Sequence, residues 1–83
     1  MQNENTRNEL VLVFKGRDNW NRPVYECNGN LYVDVDPNKN SDPKIFSKYN
    51  NELYGEPDTP ISVMAKFKGV QIKFEPRRDT WDF

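Results

Sequence analysis

Five oxygen-bearing side chains stand at every second position in Asp34, Asp36, Asn38, Asn40 and Asp42, the spacing with which a calcium-binding loop opens. The match fails further along. Counting Asp34 as position 1, position 6 is Lys39 in place of the glycine of the sharp turn, and position 12 is Ile45 in place of the bidentate glutamate. The run is therefore read as a strand end with outward carboxylates, an Asn-rich turn and a helix cap at Asp42, and no metal is expected.

A second constellation is basic. Lys66, Lys68, Lys73, Arg77 and Arg78, with Trp81 nearby, have the residue types that contact phosphates and stack a base. Residues 66–78 carry five Lys/Arg and one Glu, whereas residues 34–58 carry three Lys and six acids. Set against a nucleic-acid face is the ordinary use of lysine on an outward strand, which keeps an edge soluble and unpaired.

Acid pairs such as Asp18 with Glu26, or Glu56 with Asp58, have the groups for general acid and base work. Nothing in the sequence sets their environments apart, and no phosphate-binding glycine loop or activated nucleophile joins them. There is no His and a single cysteine, Cys27. Imidazole bases, His metal ligands, an internal disulfide and a Cys/His zinc site are thereby excluded. As a strand residue beside Tyr25, Cys27 is expected to be a small core side chain. Neither an enzyme nor a cofactor is expected.

The polar stretch Gly16-Arg17-Asp18-Asn19-Trp20-Asn21-Arg22 has more chemical character than a connector needs. Trp20 either caps an open end of the core or anchors a partner protein, where Trp and Arg are favoured. Loops on a rigid sheet commonly hold binding residues. Arg17, Asp18, Trp20, Arg22, Glu56 and Asp58 are the expected protein-binding residues, with Lys66, Lys68, Lys73, Arg77 and Arg78 the alternative, nucleic-acid set. The structural alternatives are an Arg22–Asp34 pair across strands and a capping role for Asp58.

The elements that must position these groups follow from periodicity. Glu9-Leu10-Val11-Leu12-Val13-Phe14-Lys15 reads as a central strand covered on both faces and ending at Gly16. For the next hairpin two registers compete. A two-residue Asn28-Gly29 turn would set Glu26 opposite Leu31 and Arg22 opposite Val35. A three-residue loop instead places Pro23, Tyr25 and Cys27 on one face with Leu31, Val33 and Val35, and Arg22, Glu26, Asp34 and Asp36 on the other; alternation favours it.

Helix punctuation at Asp42, Pro43 and Gly55, with Ile45, Phe46, Tyr49 and Leu53 at helical spacing, predicts a helix between Ser41 and Gly55. The weak helix formers Asn50 and Asn51 count against it. The parity of apolar residues switches at Gly69, so Val63–Phe74 is expected to form a second hairpin, with Phe67 facing Val70, Ala65 facing Ile72 and Val63 facing Phe74. The rival is a short helix capped by Thr59, started by Pro60 and stopped by Gly69, leading into a strand Val70–Glu75.

Length and composition bound the rest. The chain has 83 residues, 35% of them apolar, and 12 Lys+Arg against 13 Asp+Glu, and a domain of this size buries only about 60% of the surface its unfolded chain exposes. A polar, mobile tail is expected over residues 1–8 and one small domain over 9–83. The N-terminal residues lack the apolar run of a secretory signal, and the longest apolar stretch, Leu10–Phe14, is far short of the roughly 20 residues of a membrane helix. A soluble, cytoplasmic protein without membrane contact is expected.

The strings Gly16-Arg17-Asp18-Asn19-Trp20-Asn21-Arg22-Pro23-Val24-Tyr25, Leu31-Tyr32-Val33-Asp34-Val35, Asn50-Asn51-Glu52 and Gly55-Glu56-Pro57-Asp58-Thr59-Pro60-Ile61 resemble the large polyvalent protein-associated domains, small modules in multidomain proteins of phages and conjugative elements. The resemblance spans roughly residues 10–76. It implies an accessory module working beside DNA-processing domains and carries over no catalytic or ligand residue. The expected fold is α+β and mostly β: a small antiparallel sheet of four to five strands with one short helix or irregular loop packed on one face. The expected function is a non-enzymatic interaction module of a mobile genetic element with an unidentified protein partner.

Overall fold

A computed structural model describes residues 9–81; the expected tail at 1–8 lies outside the described residues. Six strands form one mixed sheet: β1 (Glu9–Arg17), β2 (Pro23–Cys27), β3 (Asn30–Asp34), β4 (Ile45–Lys48), β5 (Pro57–Pro60) and β6 (Gln71–Glu75). Their order is β5-β4-β3-β2-β1-β6. All neighbours are antiparallel except β1 and β6, which run parallel. The mostly-β expectation holds, with more strands than the four or five expected and 3₁₀ turns in place of an α-helix.

Strand β1 is interior, between β2 and β6, but it is not covered on both faces. Leu10 and Leu12 are buried while Val13 remains 45% exposed, the alternation of a strand with one face on the core. It also does not end at Gly16. The pairing with β2 shifts between Phe14 and Gly16, and Gly16 has φ 146°, so the glycine accommodates a β-bulge that carries the strand on to Arg17.

The β2–β3 hairpin takes the register that alternation disfavoured. Cys27 pairs with Asn30, Glu26 with Leu31, Tyr25 with Tyr32 and Val24 with Val33, across a two-residue Asn28-Gly29 turn whose residues both have positive φ, 54° and 83°. Asn-Gly is the preferred pair for a type I′ turn, whose twist matches that of the strands. Tyr25 thus shares its face with Tyr32 and Asp34, and Val24 with Val33 and Leu31. Both faces of this hairpin are covered, so one-sided alternation was the wrong guide: Tyr25, Val24 and Val33 are all fully buried.

No helix forms between Ser41 and Gly55. Ile45–Lys48 is a strand against β3, with Ile45 opposite Asp34 and Phe46 opposite Val33. A 3₁₀ turn follows at Tyr49–Asn51. Asn50 and Asn51 take left-handed φ values of 57° and 54°, conformations that asparagine tolerates and a helix interior does not. Asn51 then fastens the turn to the hairpin: its Nδ2 donates to Gly29 O at 2.8 Å, and its Oδ1 accepts the Leu31 N–H at 2.7 Å.

The second hairpin is also absent. Two 3₁₀ turns, Ile61–Val63 and Ala65–Phe67, lead through Gly69 (φ 76°) into β6. Neither turn has a side-chain cap, and the Thr59 N–H donates to Ser47 Oγ. Ile72 and Phe74 pair with Leu10 and Leu12 of β1. Ile61, Met64, Phe67 and Val70 all pack on the core, and this spacing of three is the one at which 3₁₀ side chains eclipse. The core they close contains Leu10, Leu12, Tyr25, Tyr32 and Ile45. Tyr25 lies against Phe74 at 5.0 Å and Tyr32 against Phe67 at 6.0 Å between ring centroids.

Candidate functional site

The β1–β2 loop is organised by one buried carboxylate. Asp18 Oδ1 accepts the backbone N–H groups of Trp20 at 2.9 Å and Arg22 at 3.0 Å, while Oδ2 accepts from Arg22 Nε and Lys48 Nζ, both at 3.0 Å. An aspartate answering N–H groups two and four residues ahead reinforces the backbone turn, in which the Asn21 N–H donates to Asp18 O at 2.9 Å and the Asp18 N–H to Arg22 O at 3.0 Å. Lys48 is buried on the Val33 side of β4, and its ammonium also donates to Gly55 O at 2.8 Å. The β1–β2 loop is thereby joined to both sides of the β4–β5 turn. Burial pushes the Asp18 carboxyl up, but the hydrogen bonds from Arg22 and Lys48, with the charge of Lys48, outweigh it and hold the group below the usual aspartate value.

On this base Trp20 points outward and is 68% exposed; it does not cap the core. The Arg22 guanidinium lies 5.7 Å from the Trp20 ring centroid, a cation–π distance. Arg22 pairs with Asp18 rather than with Asp34. Glu56 and Asp58 are exposed on and beside β5, and the Glu56 carbonyl accepts the Tyr49 N–H at 2.8 Å. Of the six expected binding residues, Trp20, Glu56 and Asp58 face solvent, whereas Asp18 is internal scaffolding with Arg22 half-buried over it.

Arg17 turns to a C-terminal strap. Its Nε and NH2 meet the Asp79 carboxylate at 2.8 and 3.1 Å, a fork that holds the guanidinium pKa above its ordinary value. The Asp79 N–H donates to Tyr25 Oη at 2.9 Å. Burial is the main reason the Tyr25 phenol is pushed up to about 12. Trp81 Nε1 donates to Asn21 O at 2.7 Å, tying the strap to the Trp20 loop.

The basic stripe does not assemble, because the hairpin that would carry it does not form. Lys66 lies over the Phe67 ring at 5.1 Å in a 3₁₀ turn. Lys73 is on β6 beside Glu75 at 3.4 Å, and Lys68 and Arg77 are exposed. Arg78 is spent internally, donating to Ser41 O at 2.7 Å and Asn38 O at 3.1 Å, with its NH2 3.4 Å from Asp34 Oδ2.

The calcium-like run is likewise committed to its own backbone. Asp34 Oδ1 accepts the N–H groups of Asp36 and Lys44, and Asn38 Oδ1 accepts that of Asn40. Among the described residues no group of three His, Cys, Asp or Glu side chains is placed to hold a metal. Cys27 is half-buried and packs on the edge of the core.

A cleft of about 430 Å³ opens between the β4–β5 side and β6, lined by Ile45, Phe46, Pro60, Ile61, Phe67 and Ile72 among others, with Lys44 the only charged residue of its lining among the described residues. None of the paired carboxylates singled out in the sequence borders it.

Lys48, Asp79 and the Tyr25 hydroxyl are the site residues that sequence reasoning missed. Lys48 carries no local mark, since its burial depends on Asp18 arriving from another loop. Among the described residues no helix is long and apolar enough to cross a membrane. Compared with family models, curated proteins and solved structures, the chain matches none.

Proposed function

We propose that this domain is a non-enzymatic accessory module, in the mobile-element context that the sequence resemblance implies, and that it docks a partner protein through the Asp18–Arg22 loop with Trp20 as anchor. The observation that carries the reading is an indole held in the open on a backbone that Asp18 pins from beneath. A side chain displayed on an already ordered loop loses little conformational freedom on binding. Glu56 and Asp58 extend the polar rim, and the Lys48 bridge from Asp18 to Gly55 keeps their strand in fixed relation to the loop.

The test compares capture from the cell of origin by the wild-type chain, Trp20→Ala and Val63→Ala, the last a truncation at another exposed apolar position. Specific partners lost only with Trp20→Ala support the reading; identical capture by all three refutes it. A mobility shift with single- and double-stranded DNA at low salt covers the nucleic-acid alternative, whose Lys66 and Lys73 would have to act from separate elements.

A further inference from the structure

The two edges of the sheet are unequal. Strand β5 is four residues long and both begins and ends with proline, Pro57 and Pro60. Half of its residues therefore lack the N–H that an added strand would require. Strand β6, Gln71–Glu75, contains no proline and among the described residues pairs only with β1. Successive residues of a strand turn their backbone groups to alternate sides, so β6 presents an outward row of donors and acceptors, for which no partner is found among the described residues. Ile72 and Phe74, on its core side, are only half-buried.

We propose that β6 is the interface between two copies of this chain, joined edge to edge and antiparallel about a two-fold axis through Phe74. An axis perpendicular to the sheet keeps the core sides of both copies together, so each residue must meet one of its own parity. The register centred on Phe74 sets Lys73 opposite Glu75 of the second copy, and Glu75 opposite its Lys73. Phe74 meets its own symmetry mate on the core side. Centring on Lys73 would instead oppose two ammonium groups, and centring on Ile72 would place Glu75 opposite Gly69, with no cation. Opposite charges directly across a strand pair stabilise it and like charges destabilise it. The edge is thus complementary to itself in one register, while the proline-bearing edge at β5 prevents growth into a filament.

Sedimentation velocity of the intact chain at rising concentration and low salt tests this. A monomer–dimer equilibrium is expected. Lys73→Glu or Glu75→Lys alone should weaken it about tenfold, because two attractive pairs become two repulsive ones. The Lys73→Glu/Glu75→Lys double variant should recover it, and Lys39→Glu, a charge reversal in an exposed turn, should leave it unchanged. Amide exchange of the wild type provides a measurement independent of any variant: protection should grow with concentration within residues 73–75, the part of β6 that this register pairs, and not within 57–60. A chain that stays monomeric with unchanged exchange at β6, which would leave that edge to a strand of another protein, overturns the proposal. So does a dimer indifferent to the charge reversals.

Discussion

The ammonium Nζ of Lys48 sits 3.0 Å from Oδ2 of Asp18, and both side chains are sealed from solvent. Two charges withdrawn from water incur a desolvation cost that their attraction offsets only when further hydrogen bonds occupy them. Here they do, through Gly55 O on one side and the Arg22 and Trp20 N–H groups on the other. Asp18→Ala should therefore cost about 3–5 kcal/mol, since it leaves a buried ammonium without its counter-charge. Lys48→Met should cost less, because Arg22 continues to hold the carboxylate. Urea midpoints at constant m-value measure both.

Acid should act through the same group. An unfolded aspartate titrates near pH 3.9, and the folded Asp18 lies lower. Its contribution is complete above the unfolded value and is lost as pH falls through the folded one. Below about pH 4 the wild type should lose stability more steeply than Asp18→Asn, which begins weaker and has no such carboxyl to protonate. Denaturation midpoints across that range provide the comparison.

Alkali should act through Tyr25. Its phenol is pushed from 10.0 up to about 12, chiefly by burial. Between those values the unfolded chain has lost the proton and the folded chain retains it, so stability falls as pH rises. The shift corresponds to a loss on the order of 2–3 kcal/mol by its upper end. Tyr32, raised in the same direction by burial, adds to the loss. Tyr25→Phe should flatten the decline above pH 10, and thermal melts at graded pH would record it.

Arg78 should prove the most important residue of the strap. It answers carbonyls of the β3–β4 turn and stands against Asp34, whose Oδ2 is buried without a hydrogen bond of its own. Arg78→Ala removes the nearest cation from that oxygen and should cost about 3–5 kcal/mol. Amide exchange should quicken in residues 36–41, and Arg78→Lys, lacking the planar fork, should restore only part of the loss.

Strands β1, β2, β3 and β6 were legible as short apolar, β-branched and aromatic stretches bounded by turn residues, although β1 was read as covered on both faces. The hairpin register was not, since the Asn28-Gly29 turn carried more information than the faces did once Val24 and Val33 were covered as well as Tyr25 and Tyr32. The helix expected around Ile45–Leu53 failed on residues that were visible all along: Asn50 and Asn51 accept left-handed backbone where a helix does not. Ile61, Met64, Phe67 and Val70 repeat every three residues, a rhythm that belongs to neither strand nor α-helix. Trp20 stood out by type alone. Asp18 did so only as one acid among many, because its meaning depends on Lys48 and Gly55, which the sequence separates from it and the fold restores.

Placing β6 beside β1 has a consequence for how the protein comes into being on the ribosome. Residues 9–17 emerge before the other strands, yet their parallel neighbour, residues 71–75, appears only after everything between has been translated. Until then one side of the first strand stays naked and able to seize passing polypeptide, and closing so long an intervening segment is slow. Closure of the sheet therefore waits for residues 71–75, and a nascent chain arrested before Gln71 should need a chaperone's shelter.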